Sequence, residues 1–209
     1  MSPIRQDFLR IWAMEKKEKR IIGITGGVGA GKSTVMELLK EDYGAEIILA
    51  DLVAHELMEP GTEGLRRVSE ALGTGFLKED GSVDRQALAE LLFHNQAARE
   101  TMNGILHPMV WEEIRKRAAD SSRPLVIVEA AVFDTAPAGF FDEIWYVFTD
   151  KEVRIRRLME SRGYTREKCE SIMAGQDTEE QYKSRCSRIL YNNGGKEEIR
   201  KQLEEIFIS

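Results

Sequence analysis

The sequence predicts an α/β protein, a doubly wound sheet of five parallel strands, and three observations carry that prediction. Short apolar or β-branched runs recur at 20–25, 46–51, 125–128, 144–148 and 188–191. Stretches with helical spacing lie between them. The first run passes directly into a glycine-rich loop and then a helix. Strands that alternate with helices pair in parallel, because each helix carries the chain back to start the next strand from the same end.

The first unit is strand 20–25, loop 26–33 and helix 33–42. Glu46 to Asp51 reads as a second strand ending on a carboxylate, followed by a helix over Leu52 to Met58 that stops at Pro60-Gly61. From Gly64 to about Asn103 the pattern is helical, with Leu65, Val68, Ala71 and Leu72 on one face. Asp80-Gly81-Ser82 is a turn, and Asp84 caps a helix through Leu88, Leu91 and Leu92. His107-Pro108 predicts a break before a further helix, Met109 to Ala119. Leu125 to Val128, ending at Glu129, is a third strand and Ile144 to Phe148 a fourth. Thr149-Asp150-Lys151-Glu152 fits a capping box that opens a helix ending near Gly163. A polar helix follows over 166–181, then strand 188–191 ending in Asn192-Asn193-Gly194-Gly195. The last helix carries Ile199, Leu203, Ile206 and Phe207 on one face, which docks on the sheet.

At 209 residues the chain holds one domain with insertions or at most two small ones. The helical stretches 61–106 and 150–185 lack strands, and they read as insertions at the carboxyl edge of the sheet, where ligands bind. Hydrophobic residues make up 42% and charged residues 32%, enough for a core. A net charge of −6 argues against nucleic acid as a partner. No apolar run approaches the ~20 residues that span a bilayer. The cysteines, Cys169 and Cys186, are not in C-x-x-C spacing, which predicts a reduced, cytoplasmic protein. Residues 1–18 form an extension ahead of the first strand, readable as a short amphipathic helix, with Met14 as an alternative start.

Gly26 to Ser33 reads G-G-V-G-A-G-K-S and is followed by Thr34, which matches the phosphate-binding loop G-x-x-x-x-G-K-[ST]. Glycines let backbone N–H groups close on phosphate, and the next helix turns its positive end toward the same anion. Lys32 supplies a point charge for the terminal phosphates of ATP, and Ser33 a hydroxyl for Mg²⁺. A guanine-reading N/T-K-x-D segment and an L-S-G-G-Q-like segment are both absent from the sequence. The chain is also short for a helicase, so a small-molecule P-loop kinase fits best. Asp51 is the acceptor-side candidate: a carboxylate there takes a hydroxyl proton or holds a metal-bound water, and the alternative is a plain helix cap. Arg154, Arg156, Arg157 and Arg162 are either lid cations over the migrating phosphoryl group or a solvated face. His107 alone reads more readily as a helix-entry or core residue.

Residues 23–33, G-I-T-G-G-V-G-A-G-K-S, resemble the opening of the dephospho-CoA kinases, G-[LI]-T-G-G-[IV]-G-[SA]-G-K-S. The resemblance continues through Ala50-Asp51, Gly81-x-Val83-Asp84-Arg85-x-x-Leu88, Phe93 and Ile105-Leu106-His107-Pro108. It resumes at Arg157-Leu158, Arg162-Gly163-Tyr164, Gln176 and Ile189 to Gly194, and so spans about residues 20–207. It implies transfer of the ATP γ-phosphate to the 3′-hydroxyl of dephospho-CoA, the last step of coenzyme A synthesis, with Mg²⁺. Residues 19–60, 107–149 and 186–209 would form the nucleotide-binding core, 61–106 the acceptor domain and 150–185 the lid. Lys32, Asp51 and Arg157 would be catalytic, with Asp51 as the base. Gly27, Val28, Gly29, Ala30, Gly31, Lys32, Ser33 and Thr34 would hold ATP, with Asn192 near the adenine and Ser33 on the metal. Thr25, Asp51, His55, Asp84, Arg85 and His107 would bind the acceptor, although His55 stands where the family commonly has Arg. Two further departures are Glu129 to Asp134 in the region of a Pro-Leu-Leu-Phe-Glu segment, and Cys186-Ser187 in place of Ala-Asp. The competing readings are another small-metabolite or nucleoside kinase, and a non-catalytic nucleotide-binding regulator derived from the fold.

Overall fold

The computed structural model describes residues 3, 4, 6, 19–131 and 133–207. The helix expected within 1–18 falls almost wholly outside the described residues, as does Val132. The chain divides into two compact units, and the division falls inside the second strand. The first unit is Met1–Ile47, Ser121–Phe133 and Ala138–Ser209, and the second is Ile48–Asp120 with Asp134–Pro137.

The sheet has five strands: β1 (Arg20–Thr25), β2 (Glu46–Leu49), β3 (Leu125–Glu129), β4 (Glu143–Phe148) and β5 (Arg188–Tyr191), in the order β2-β3-β1-β4-β5. β1 runs parallel to both β3 and β4, and β4 runs parallel to β5. A central parallel strand is covered on both faces, so its sequence is apolar without alternation. Leu125, Val126, Ile127 and Val128 are accordingly all fully buried. Each contributes roughly 1.5–3 kcal/mol relative to an exposed side chain. In the first unit the core joins Ile22, Ile24, Trp145 and Val147 of the sheet to helix α1 (Lys32–Tyr43) and the last helix (Lys196–Phe207). That last helix buries Ile199, Leu203 and Phe207, with Ile206 packed beside them, as its sequence spacing predicts.

The second unit is helical: α2 (Ala50–Glu56), α3 (Glu63–Leu72), α4 (Arg85–His94) and α5 (Gln96–Asp120). Its core is Met58, Leu65, Val68, Phe76 and Leu106. Ala71 is exposed, contrary to the sequence reading. At about 100° per residue it lies roughly 120° around the helix from Leu65, past the edge of the buried stripe. The turn at Asp80-Gly81-Ser82 forms as expected, with Ser82 N and Oγ both donating to Asp80 Oδ1 at 2.9 and 2.6 Å. Asp84 caps α4 by accepting from Gln86 N and Ala87 N.

Three elements differ from expectation. The break at His107-Pro108 does not occur, and α5 runs through Pro108 without interruption. A proline inside a helix costs ~3 kcal/mol. Here Leu106, Val110, Trp111 and Ile114 are buried on both sides of it, and α5 packs on α2, α3 and α4, which outweighs that cost. The second strand ends at Leu49, so Asp51 lies in the first turn of α2 and not at a strand end. A carboxylate there is favoured by the helix dipole. The helix expected over 166–181 is two helices, α7 (Arg166–Ala174) and α8 (Glu179–Arg185), after α6 (Lys151–Arg162). A capping box of Thr178 with Gln181 starts α8 and so ends the continuity. The last helix is then α9. No helix among the described residues is long and apolar enough to cross a membrane.

Candidate active site

The loop Gly26–Ser33 leaves the carboxyl end of β1 and enters α1. Gly31 is the N-cap of α1, at φ 84°, and makes no side-chain cap bond to the first helical amides. A helix start of this kind is an anion site. Lys32 Nζ donates to Gly26 O at 2.8 Å and lies 3.4 Å from Glu129 Oε1 at the end of β3. Glu129 is in register beside Ile24 of β1, which brings its carboxylate to the loop. Ser33 is exposed in the first turn of α1. Thr25 is buried at the end of β1 and donates its hydroxyl to Ala131 O at 3.4 Å.

Two side chains from distant parts of the sequence cover Gly31. Asn192, just past β5, is buried and donates Nδ2 to Ala30 O at 2.8 Å. Arg157 of α6 reaches Asn192 Oδ1 through Nη2 at 3.4 Å. Arg157 Nη1 is buried with no hydrogen-bond partner among the described residues. A Cβ added at Gly31 would lie 3.3 Å from that nitrogen and would collide with the Asn192 amide. A buried donor left unpaired is costly, and a guanidinium most of all, so a phosphate oxygen beside Gly31 suits both groups.

The capping role expected of Thr149 is not the one it plays. Asp150 is the N-cap of α6, without a side-chain cap bond. The buried Thr149 hydroxyl instead lies 2.9 Å from Ala30 O and 3.1 Å from Asn192 O, tying the loop to the end of β5. Thr149→Val keeps the shape and removes the donor. It is expected to lower stability by about 0.5–1.5 kcal/mol, the net worth of one hydrogen bond, because Ala30 O keeps its bond from Asn192 Nδ2. A fall in the urea midpoint at unchanged m-value checks this.

Of the four arginines singled out, the structure brings Arg154 and Arg157 to the loop. Arg156 is exposed, and Arg162 is also exposed, with its guanidinium carbon 5.9 Å from the Tyr164 ring centroid. The Cys186-Ser187 departure is accommodated: Ser187 N donates to Ile144 O at 2.8 Å and its Oγ sits 3.2 Å from Ile144 N. Burial pushes the Cys186 thiol up to about 11, which favours the protonated form. Both cysteines are free.

In the second unit, a cavity of about 460 Å³ has Asp51, His55, Lys78 and Arg85 on its polar side and Met58 and Leu106 among its apolar walls. Asp51 is exposed, and the N-cap of α2 is Leu49, so the capping role weighed for Asp51 is not the one it plays. His55 Nε2 lies 2.6 Å from Arg85 Nη2 and 3.3 Å from Glu59 Oε1. A guanidinium only donates, so the imidazole accepts from Arg85. Asp84 spends its carboxylate on the α4 cap, and His107 is half-buried within α5. An apolar cavity edged by two cations, Lys78 and Arg85, suits a long ligand that carries phosphate.

Sequence reasoning missed Glu129, Thr149 and Lys78 as site residues. A signal existed for Glu129 alone: it is the carboxylate that ends the apolar run predicted to lie beside β1. Among the described residues, no three His, Cys, Asp or Glu side chains gather as a metal cage.

Comparison with known proteins widens the case beyond the loop. The model of the dephospho-CoA kinase family matches residues 20–198. A dephospho-CoA kinase of Geobacter sulfurreducens is 38% identical over 191 residues, 90% of this chain and 96% of the relative. That of Moorella thermoacetica is 38% identical over 86% of this chain and 87% of its own. Among solved structures, TT1252 from Thermus thermophilus superposes with a TM-score of 0.75 at 30% identity, over 92% of this chain and 98% of that one. The dephospho-CoA kinase of Campylobacter jejuni shares the fold at a TM-score of 0.67 and 22% identity, over 91% of this chain and 98% of that one. Because the family match begins at β1 and ends inside α9, taking in the helical unit along with the nucleotide loop, the chain as a whole belongs to the dephospho-CoA kinase family.

Proposed function

We propose that this chain works as a dephospho-CoA kinase in which Lys32 and Arg157 hold the migrating phosphoryl group and Asp51 takes the acceptor proton. The reaction moves the γ-phosphate of ATP to the 3′-hydroxyl of the ribose in dephospho-CoA, the final step of coenzyme A biosynthesis. The observation that carries the assignment of roles is the buried, unpartnered Arg157 Nη1 beside Gly31.

The loop amides and the start of α1 bind the phosphate chain. Lys32 exchanges Gly26 O and Glu129 for the γ-phosphate, and Arg157 Nη1 donates to it. Ser33 and a carboxylate such as Glu129 are hard oxygen donors of the kind Mg²⁺ takes. That ion, when bound with ATP, neutralises charge on the β- and γ-oxygens. His55, Lys78 and Arg85 hold the acceptor's diphosphate, and its pantetheine arm lies along the apolar wall at Met58 and Leu106. Asp51 accepts the 3′-hydroxyl proton as the oxygen attacks phosphorus, and ADP leaves. On this reading the 61–106 segment receives the acceptor and 150–185 closes over the nucleotide and excludes water. Free thiols and a need for ATP suit the cytoplasm.

The test is ADP release from Mg-ATP with dephospho-CoA, against adenosine and common nucleosides. Release that depends on dephospho-CoA is expected. Dependence on a nucleoside, or ATP binding with no acceptor-dependent turnover, overturns the proposal.

A further inference from the structure

The tip of the phosphate loop is held from outside by two side chains, Arg154 and Gln176, that bond its backbone at Val28. Arg154 of α6 donates from Nε to Val28 O at 2.8 Å. Its Nη2 donates to Gln176 Oε1 at 2.7 Å. The same Gln176 oxygen accepts from Val28 N at 3.1 Å. The three groups close a ring around Val28: both backbone atoms of that residue are bound, and the two side chains that bind them are bound to each other. The guanidinium also lies on Gly27, where an added Cβ would collide with it. Gly27 is therefore bare for an arginine as well as for a phosphate.

A peptide is planar and trans, so fixing one carbonyl fixes the direction of the N–H that follows it. Holding Val28 O therefore sets Gly29 N–H, and holding Val28 N sets the plane that contains Gly27 O. Gly27 O in turn accepts from Ala30 N at 3.1 Å. The arginine is itself held. It is half-buried beside Tyr146 and Tyr182, whose rings stack at 4.7 Å. Burial pulls its pKa down, so its position is maintained against a desolvation cost. Gln176 lies in the link between α7 and α8.

We propose that Arg154 and Gln176 form one positioning device for the nucleotide, presetting the amides at the tip of the phosphate loop. Arg154 acts through Val28, and its bonds reach the loop from α6, the helix that also bears Arg157. The grip on ATP and the placement of α6 are thereby one variable. This inference rests on the kinase reading for its meaning in turnover, but its binding arm stands apart from that reading.

The experiment compares Arg154→Ala, Arg154→Lys, Gln176→Ala and the double alanine variant with wild type. The readouts are Mg-ATP affinity by calorimetry, KM for each substrate, kcat and Tm. Each single alanine variant loses two of the three bonds of the ring, and ATP binding is expected to weaken about five- to tenfold, in Kd and in KM for ATP, roughly the net worth of one ordinary hydrogen bond. KM for dephospho-CoA is expected to hold within twofold. The double variant is expected to be no weaker than Arg154→Ala, because the pair works as a unit. Arg154→Lys keeps the charge and loses the planar fork, so it is expected to resemble Arg154→Ala. Wild-type ATP affinity in Arg154→Lys with loss in Arg154→Ala makes the charge the agent and overturns the positioning role. Unchanged ATP affinity in Gln176→Ala, or a lower Tm with no shift in Kd, overturns it as well. Absence of turnover with dephospho-CoA in wild type would count against the kinase reading and leave the binding comparison intact.

Discussion

Lys32→Ala is expected to lower kcat by about 10²–10³-fold while leaving KM for ATP within a few-fold. Removing one preorganised group that meets charge developing in the transition state costs about that much. The ammonium's present partners are Gly26 O and Glu129 Oε1, at 2.8 and 3.4 Å. On the role proposed above, turnover requires it to change partners, and the alanine variant has nothing to move. An interaction made chiefly in the transition state lowers kcat and kcat/KM together. The effect on folding is expected to be small, since both Lys32 and Glu129 keep some access to solvent. Steady-state assay of ADP release, with a melting curve on the same sample, checks both parts. A variant within tenfold of wild-type kcat would remove Lys32 from the catalytic set.

Asp51→Asn is expected to cost about 10²–10⁴-fold in phosphorylation of the acceptor, the range that a positioned base contributes. Asparagine keeps the size and loses the proton acceptor. The substitution is clean because Leu49, not Asp51, is the N-cap of α2, and no side-chain cap bond is at stake. The dipole contribution of a carboxylate in a first turn is only ~0.3–1 kcal/mol, so folding should be nearly unchanged. ATP affinity is expected to be unaffected. Single-turnover formation of the 3′-phosphorylated product separates chemistry from release. Near-normal turnover would mean that another group, or solvent, takes the proton.

The parts legible in the sequence are those whose cause is local. A glycine loop ending in Lys32-Ser33 carries its own explanation, and apolar runs such as Leu125–Val128 announce burial on two faces. Asp84 and the Asp80–Ser82 turn follow from side chains that bond their own backbone. The misses are places where distant contacts override a local rule. Pro108 breaks an isolated helix, but the packing of α5 is not visible in a window around it. The hydroxyl of Thr149 had a local use in a capping box, and a buried partner over a hundred residues away took it instead. Arg154 looked like one of four similar arginines, and only the third dimension separates it from Arg156. The break between α7 and α8 belongs to the other class. Thr178 and Gln181 had the spacing of a helix start, and the signal was there to be read.

The contact between Lys32 and Glu129 has a consequence for selectivity among anions. A cation that already owns an internal counterion gives little to a small, weakly charged intruder, because the exchange returns about what it removes. A polyanion that engages the backbone and Arg157 at the same time gains more than it displaces. If the phosphate chain binds as proposed, the resting pair is expected to act as a threshold that favours ligands with several linked charges over a single small anion.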